Sequence, residues 1–161
     1  MKEIDEGILK LIDDMIETMQ ALQGVGLAAN QVGKSLRLAV VQLSPDDQPI
    51  VLINPKIVRR EGEREVIEGC LSIPGHQGIV TRSNKVRVRA LDRAGKEFRI
   101  RAGDDLMAQA LEHEVGHLEG ELYIDHLTEE GRFWKINHEA GAEHEHVYDS
   151  VHDLPDLSVT D

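Results

Sequence analysis

The sequence has few aromatic residues and only one cysteine. Phe, Trp and Tyr together make up 3% of the 161 residues, so the core must be built from Leu, Ile, Val, Met and Ala. The single cysteine, Cys70, excludes an intrachain disulfide and is typical of a reducing compartment. No apolar run approaches the roughly 18 residues that a membrane-spanning helix needs, and the N-terminus lacks a basic region followed by an apolar one. We therefore expect a cytoplasmic protein without membrane contact; an organelle stroma or matrix would require a transit peptide that has been removed.

Positive charge is also scarce. Lys and Arg number 18 against 30 Asp and Glu, which gives a formal net charge of −12 and a pI near 5.0. A field of this sign repels phosphate backbones and anionic membranes, so we expect no direct nucleic-acid partner. The length fits one domain with a sizeable core.

The motif His113-Glu114-Val115-Gly116-His117 has the form H-E-x-x-H. On a helix, positions i and i+4 share one face, so the two imidazoles can bind one metal ion while Glu114 acts beside them as a proton carrier. A catalytic site of this kind needs a third protein ligand and an open fourth position.

Three known patterns compete for the third ligand, and the first of them lacks its ligand in this sequence. The metzincin pattern places a histidine at the position that Tyr123 occupies here. The thermolysin-like pattern requires a later glutamate, for which Glu139 or Glu143 could be proposed. Cys70 lies upstream in a loop limited by glycine and proline, and its thiolate suits Zn²⁺ or Fe²⁺ better than Mg²⁺ or Ca²⁺.

Hydrophobic periodicity predicts an α+β protein, with short antiparallel sheets packed around the metal-binding helix. Amphipathic spacing predicts helices over 4–22 and 104–118, the second capped by Asp104, and a final short helix over 128–137. Alternating or buried apolar runs predict six or seven strands between the first two helices. Two hairpins are expected, one pairing 57–60 with 64–67 and the other pairing 85–91 with 97–101.

The glycine-rich segment 24–33 follows the first helix. Its small residues predict either a simple turn or a place where backbone approaches a ligand closely. Gln31 lies inside this segment, and its side-chain amide can donate to an oxyanion.

Three segments together resemble the motifs of the peptide deformylase family, in that family's order and approximate spacing. They are Gly24-Val25-Gly26-Leu27-Ala28-Ala29-Asn30-Gln31, Glu68-Gly69-Cys70-Leu71-Ser72 and His113-Glu114-Val115-Gly116-His117. The resemblance extends over roughly residues 4–130. It implies that residues 1–137 form one deformylase-like catalytic domain.

The resemblance implies an amide hydrolase that removes the formyl group from N-formylmethionyl peptides of nascent proteins and releases formate. Cys70, His113 and His117 would hold one divalent ion, with Fe²⁺ as the native metal and Zn²⁺ or Ni²⁺ as substitutes. Glu114 would move the proton from water to the leaving amine. The oxyanion would be bound by the side chain of Gln31 and the backbone N–H of Leu71.

The same resemblance implies how the peptide binds. It would lie extended against the backbone of Val25, with Gly26 beside it, and of Gly69, a strand-addition mode that reads main chain. The methionine side chain would enter a pocket lined by Val25 and by Gln109 and Ala110, one turn before His113.

The sequence departs from the family pattern at several positions. Gly116 replaces the usual aspartate, which is expected to weaken the helix and to leave a partner such as Arg82 unpaired. Asn30 replaces a common proline. Residues 138–161 carry seven acidic residues, four histidines and no Lys or Arg, so we expect a flexible acidic tail. The ribosome stays a candidate partner, but without the basic C-terminal helix that docks bacterial members.

Two other functions remain open from the sequence. One is a catalytically weak, deformylase-like module that binds N-termini, and the other is a zinc endopeptidase. Formate release from a formylated peptide distinguishes the deformylase from both.

Overall fold

The computed structural model of the protein describes residues 4–136 and 146–148. The chain divides into two compact units, each built from two stretches of sequence. The first unit contains Met1–Glu63 and Ser83–Glu121, and the second contains Arg64–Arg82 and Leu122–Asp161. Each unit has one antiparallel sheet, which confirms the predicted α+β class. Neither helix of the described ranges has the length and apolar character needed to cross a bilayer.

The helices and strands follow one another in this order: α1 (Glu6–Ala21), β1 (Gly26–Ala28), β2 (Leu38–Val41), β3 (Ile50–Glu61), β4 (Arg64–Cys70), β5 (Ile73–Arg82), β6 (Lys85–Leu91), β7 (Glu97–Gly103), α2 (Leu106–Glu119), β8 (Phe133–Lys135) and β9 (His146–Tyr148). Short 3₁₀ turns cover Ala29–Val32 and Tyr123–His126. Seven strands therefore precede α2, as expected.

The first unit is a five-stranded sheet with the order β1-β2-β3-β6-β7 and a helix on each side. The predicted amphipathic helix is present as α1, which begins at the N-cap Asp5 and buries Ile12, Met15 and Met19. These side chains join Leu38 and other residues of one sheet face in a shared hydrophobic cluster. The opposite face of the sheet packs against α2.

Strand β2 is buried on both faces, and its side chains alternate between the two helices. Leu38 and Val40 pack in the cluster that contains α1, whereas Ala39 and Val41 pack in the cluster that contains α2. A strand covered on both sides reads as a continuous apolar run, which is the pattern that this segment shows in the sequence. The helix α2 therefore packs against Ala39 and Val41 of β2.

Strand β3 is longer than the sequence indicated. It continues through Pro55, with Asn54 in the left-handed region at φ 50° and a bulge in its pairing with β6 between Ile53 and Lys56. A bulge tolerates proline because no ladder hydrogen bond is needed there. The predicted hairpin of 57–60 with 64–67 is wrong, because β3 pairs with β6 while β4 pairs with β5. The predicted hairpin of β6 and β7 is confirmed.

The second unit is a four-stranded sheet with the order β4-β5-β8-β9. Its core contains Ile73, Val80, Tyr123 and Phe133. The predicted helix over 128–137 is wrong, because Gly131 turns the chain at φ 56° and Phe133–Lys135 pair with β5 as strand β8. Apart from 146–148, the predicted flexible acidic tail lies outside the described residues.

Candidate active site

The two histidines of the H-E-x-x-H motif lie on one side of α2 and converge. The helix begins after Asp105, whose carboxylate accepts from the N–H of Ala108 at 2.8 Å, so the cap is one residue later than predicted. The Nε2 atoms of His113 and His117 are 3.0 Å apart, with the rings nearly perpendicular at 82°. Two imidazole nitrogens aimed at one point fit the coordination chemistry of a divalent ion such as Zn²⁺ or Fe²⁺.

Glu114 is buried in the first unit, with 3% of its surface exposed. Its carboxylate lies against β1 at Gly26, where an added Cβ would overlap the Glu114 carboxylate. A side chain at position 26 would therefore displace the Glu114 carboxylate. The sequence assigned Gly26 to peptide binding and did not reveal this contact.

Gln31 lies in the 3₁₀ turn that follows β1. Its side-chain Oε1 accepts a hydrogen bond from the backbone N–H of Ala28 at 2.8 Å. Because this bond fixes the carbonyl end of the amide, the NH₂ group is the end that can donate to an oxyanion. The same turn places Asn30 so that its Nδ2 donates to the carbonyl oxygen of His117. This bond ties the Gln31 turn to the last turn of α2.

A buried carboxylate next to His113 holds α2 in the first unit. Glu112 is 6% exposed and accepts three hydrogen bonds. The donors are the Arg60 Nε at 2.9 Å, the Ser83 backbone N–H at 2.8 Å and the Ser83 hydroxyl at 3.0 Å. Glu112 could not be identified from the sequence, because a glutamate on an amphipathic helix is normally expected to be solvent-exposed.

Gly116, the departure from the family motif, is buried in α2. A Cβ at this position would lie 3.4 Å from Glu121 Oε2, an ordinary contact. The structure therefore has room for a small side chain here. Glycine in a helix interior costs about 1 kcal/mol relative to alanine.

Cys70 lies at the end of β4 in the second unit. The turn after it brings the backbone N–H of Ser72 within 3.4 Å of the sulfur. An N–H donor favours the negative thiolate, which is the form that binds metal ions. Leu71 is in the same turn and is 37% exposed. Cys70 also contacts the core of this unit and is half-buried.

An ion pair lies two residues before Cys70. Arg82 donates to Glu68 through two nitrogens, at 2.7 and 2.9 Å, and both side chains are almost completely buried. The expectation that Gly116 leaves Arg82 unpaired is therefore wrong, since Glu68 supplies a bidentate partner. The pair links β4 to β5.

Tyr123, the residue at the metzincin ligand position, belongs to the core of the second unit and is 1% exposed. Burial, and after it the negative charges of Cys70 and Glu68, raise the pKa of its hydroxyl above the ordinary value. A neutral, buried phenol is a poor metal ligand, which disfavours the metzincin arrangement. Glu139 and Glu143, the thermolysin-like candidates, lie outside the described residues.

Two of the predicted peptide-binding segments are edge strands within their own sheets. In the first sheet β1 is an end strand, and in the second β4 is an end strand. The N–H of Gln42 bonds the carbonyl of Val25, so the alternation of an antiparallel pair turns the backbone groups of Gly26 away from β2. At Gly69 a Cβ would lie 3.1 Å from the carbonyl oxygen of His76. Gly69 therefore lies where neighbouring backbone approaches closely, whereas the close neighbour of Gly26 is the Glu114 side chain.

The predicted methionine-pocket residues have different environments. Val25 is 38% exposed and Gln109 is half-buried, whereas Ala110 is 3% exposed and packs in the hydrophobic cluster under α2. Val25 also borders an open cavity of about 580 Å³ in the first unit. This cavity is lined by Gln20, Gln23, Gly24, Val25, Gln42, Leu43, Ser44 and Pro45.

Comparison with known proteins matches these features to one family. The family model described as polypeptide deformylase matches residues 1–133. A peptide deformylase of Dehalococcoides mccartyi (strain CBDB1) is 55% identical over 133 residues, which are 83% of this chain and 79% of that protein.

Solved structures of the same family are also similar to this chain. A peptide deformylase from Legionella pneumophila superimposes with a TM-score of 0.77 at 45% identity, covering 81% of this chain and 78% of that one. A peptide deformylase from Synechococcus elongatus in complex with actinonin gives a TM-score of 0.77 at 39% identity, covering 80% and 72%.

Proposed function

Because the chain belongs to the polypeptide deformylase family, we propose that it hydrolyses the formamide of N-formylmethionyl peptides and releases formate and a free N-terminus. The observation that carries this proposal is the group of residues in the first unit. Two converging imidazoles, the buried carboxylate of Glu114 and the oriented amide of Gln31 are the parts that hydrolysis of an amide requires.

We propose that one divalent ion is bound by His113, His117 and the thiolate of Cys70. Support comes from the convergence of the two Nε2 atoms and from the N–H of Ser72 at the sulfur. Two nitrogens and one sulfur select Fe²⁺, Zn²⁺ or Ni²⁺ over oxygen-preferring ions, and we propose Fe²⁺ as the native metal. When bound, the ion supplies Lewis-acid chemistry that activates water and polarises the formyl carbonyl.

Glu114 is the proposed proton carrier. Its carboxylate accepts a proton from the attacking water and delivers that proton to the nitrogen of the departing amine, so the two proton transfers balance. The Glu114 carboxylate is almost completely buried and packs against Gly26, which limits the positions that it can take. General acid–base catalysis of this kind contributes about 10²- to 10⁴-fold to a rate.

The negative oxygen that develops on the formyl carbon needs hydrogen-bond donors. We assign the side-chain NH₂ of Gln31 and the backbone N–H of Leu71 to this role. The bond from Ala28 to Gln31 Oε1 orients the amide before substrate arrives, so no reorganisation is needed during the reaction.

The peptide is proposed to bind as an added strand. Gly26, next to Val25, supplies open backbone groups at one edge and Gly69 at another, while Gln109 and Ala110 line the methionine pocket. Because recognition uses main-chain groups, the peptide can have many different sequences after its first residue. The cavity beside Val25 offers room for residues further along the peptide. We place this reaction in the cytoplasm, where nascent chains are made.

The central experiment measures formate release from a formyl-Met tripeptide by protein prepared anaerobically with Fe²⁺ or with Zn²⁺. We expect turnover with both metals, loss of bound metal in Cys70→Ala, and retained metal without turnover in Glu114→Gln. Normal turnover in Glu114→Gln would refute the assigned proton carrier. Tight peptide binding without formate release would indicate a binding module, and internal cleavage of an unformylated peptide would indicate an endopeptidase.

A further inference from the structure

One face of the first sheet is strongly basic, although the chain as a whole is acidic. The helix α1 covers this face where it packs on β1, β2, the first half of β3 and Leu91 at the end of β6. On the second half of β3 and on β6 and β7, most of the side chains that point away from α2 are exposed. Seven of them are basic and form what we call the basic face: Lys56, Arg59, Lys85, Arg87, Arg89, Arg99 and Arg101.

The strand register places these charges side by side. Arg87 is directly opposite Arg59 on one neighbouring strand and Arg101 on the other. Arg89 is likewise opposite Lys56 and Arg99. Two rows of three cations therefore cross three strands, with about 5 Å between strands and about 7 Å between rows.

Acidic residues on the same face offset only part of this charge. Glu61 contacts Arg59 at 2.6 Å and Arg87 at 3.9 Å. Glu97 is 3.9 Å from both Arg89 and Arg99. Seven cations against two carboxylates leave the face with an excess of five positive charges, and the arginines stay largely exposed, up to 69% for Arg99.

Such an arrangement is unfavourable for the isolated protein. Like charges directly opposite on neighbouring strands destabilise a sheet, and alternating signs at the same positions would avoid this cost. The two carboxylates on the face, Glu61 and Glu97, offset this repulsion only in part. A ligand that carries regularly spaced negative charge would remove the repulsion.

We propose that the basic face binds the phosphate backbone of double-helical RNA. Five of the seven cations are arginines, whose planar guanidinium groups bind phosphate with two parallel hydrogen bonds. Phe98 is the one Phe, Trp or Tyr residue of the first unit, and it points to the opposite face and packs in the core. Single strands are bound largely by base stacking on aromatic rings, whereas double-helical RNA is recognised through its shape and its backbone.

This inference goes beyond the deformylase reaction and revises the expectation drawn from net charge. A charge of −12 predicted no nucleic-acid partner, but net charge averages over the whole surface. Repulsion from distant carboxylates is screened beyond about 10 Å at 0.1 M salt. Local contacts between arginines and phosphates are screened much less, so the basic face can bind RNA while the chain remains acidic.

The test uses the full-length protein and a 20-base-pair RNA duplex at 50 mM KCl. We expect a dissociation constant of about 1–100 µM for the unmodified chain. The triple variant Arg87→Gln, Arg89→Gln, Arg101→Gln should bind at least tenfold more weakly, and the slope of log K against log salt should fall by about two to three. The matched control removes three lysines outside the face, Lys10→Gln, Lys34→Gln and Lys135→Gln, and should bind RNA almost as well as the unmodified chain.

Two further measurements decide between explanations. The Arg→Lys triple at positions 87, 89 and 101 keeps the charge and should keep most of the affinity. The Arg→Gln triple should melt at or above the temperature of the unmodified chain, because it removes like charges from neighbouring strands. Absence of RNA binding, equal weakening in both Gln triples, or equally tight binding of a single strand would overturn the proposal. Equally tight binding of poly-glutamate would assign the face to an acidic protein instead.

Hydrolysis of the tripeptide should be unchanged in every variant, so a failed deformylase assignment is recognised separately.

Discussion

Gly26 and Glu114 are packed so closely that position 26 has no room for a Cβ atom. We therefore predict that Gly26→Ala moves the Glu114 carboxylate and lowers kcat about 10²- to 10⁴-fold, the usual contribution of a general base. Metal content should stay at one ion per chain, because the histidines and Cys70 are unchanged. Steady-state formate release and metal analysis on the same preparation measure both. A Gly26→Ala protein with full kcat would contradict the proposed packing.

The orientation of Gln31 gives a second prediction. In Gln31→Glu the new carboxylate can still accept from the N–H of Ala28, but it has no N–H group to offer an oxyanion. We expect kcat to fall about 10²- to 10³-fold. The Gln31→Ala variant should lose a similar factor, since it also lacks the donor. If Gln31→Glu were as active as the unmodified chain, the donor role would be excluded.

Glu112 should contribute strongly to stability. Its replacement by alanine leaves the buried N–H and hydroxyl of Ser83 without their acceptor, which costs about 1–3 kcal/mol. Urea denaturation of Glu112→Ala should show this loss in the free energy of unfolding. Arg60→Ala is the matched control, and it should cost less than about 1 kcal/mol because the Arg60 side chain is 53% exposed. Equal losses in the two variants would mean that Ser83 contributes little.

The Glu68–Arg82 pair should be costly to break and much less costly to replace. Arg82→Leu leaves the Glu68 carboxylate buried without its bidentate partner and should destabilise the protein by about 3–5 kcal/mol. The double variant Glu68→Leu, Arg82→Leu removes both charges and should lose much less than the sum of the two single variants. A double-mutant cycle in urea measures the coupling. Additive losses would show that the ion pair has no favourable coupling.

Gly116 offers a stabilising substitution. Because a Cβ there makes only an ordinary contact with Glu121, Gly116→Ala should raise the free energy of unfolding by about 1 kcal/mol and the Tm by about 2–4 °C. Formate release should be unchanged, since the substitution touches neither a proposed metal ligand nor Glu114. This variant also serves as the control for Gly26→Ala, where the same chemical change meets a filled space.

Local patterns in the sequence predicted the local structures. The periodicity of α1, the H-E-x-x-H helix and the β6–β7 hairpin all follow from residues close in sequence, and all three are present. The partner of β3 was mispredicted because a short polar turn at 61–63 looks like a hairpin. The actual pairing, β3 with β6, joins residues that are distant in sequence.

In the candidate site, too, residues in local motifs were predicted, whereas contacts between distant segments were not. The proposed metal ligands, Glu114 and Gln31 were predicted from the H-E-x-x-H motif and from the resemblance to the family motifs, and their roles stay predictions. The contact of Gly26 with Glu114, the bonds of Glu112 to Ser83 and the bond from Asn30 to His117 were not found, because each depends on how separate elements pack. The basic face could not be predicted from the sequence, because it depends on the register of three strands. The net charge of the whole chain does not show that basic residues lie together on one surface.

Strand β1 contains only three residues, Gly26–Ala28. A partner strand laid along so short an edge can form very few main-chain hydrogen bonds, whatever its own length. An enzyme that binds its substrate in this way would examine the very beginning of a polypeptide and ignore the rest. One such catalyst could then serve the products of thousands of different genes.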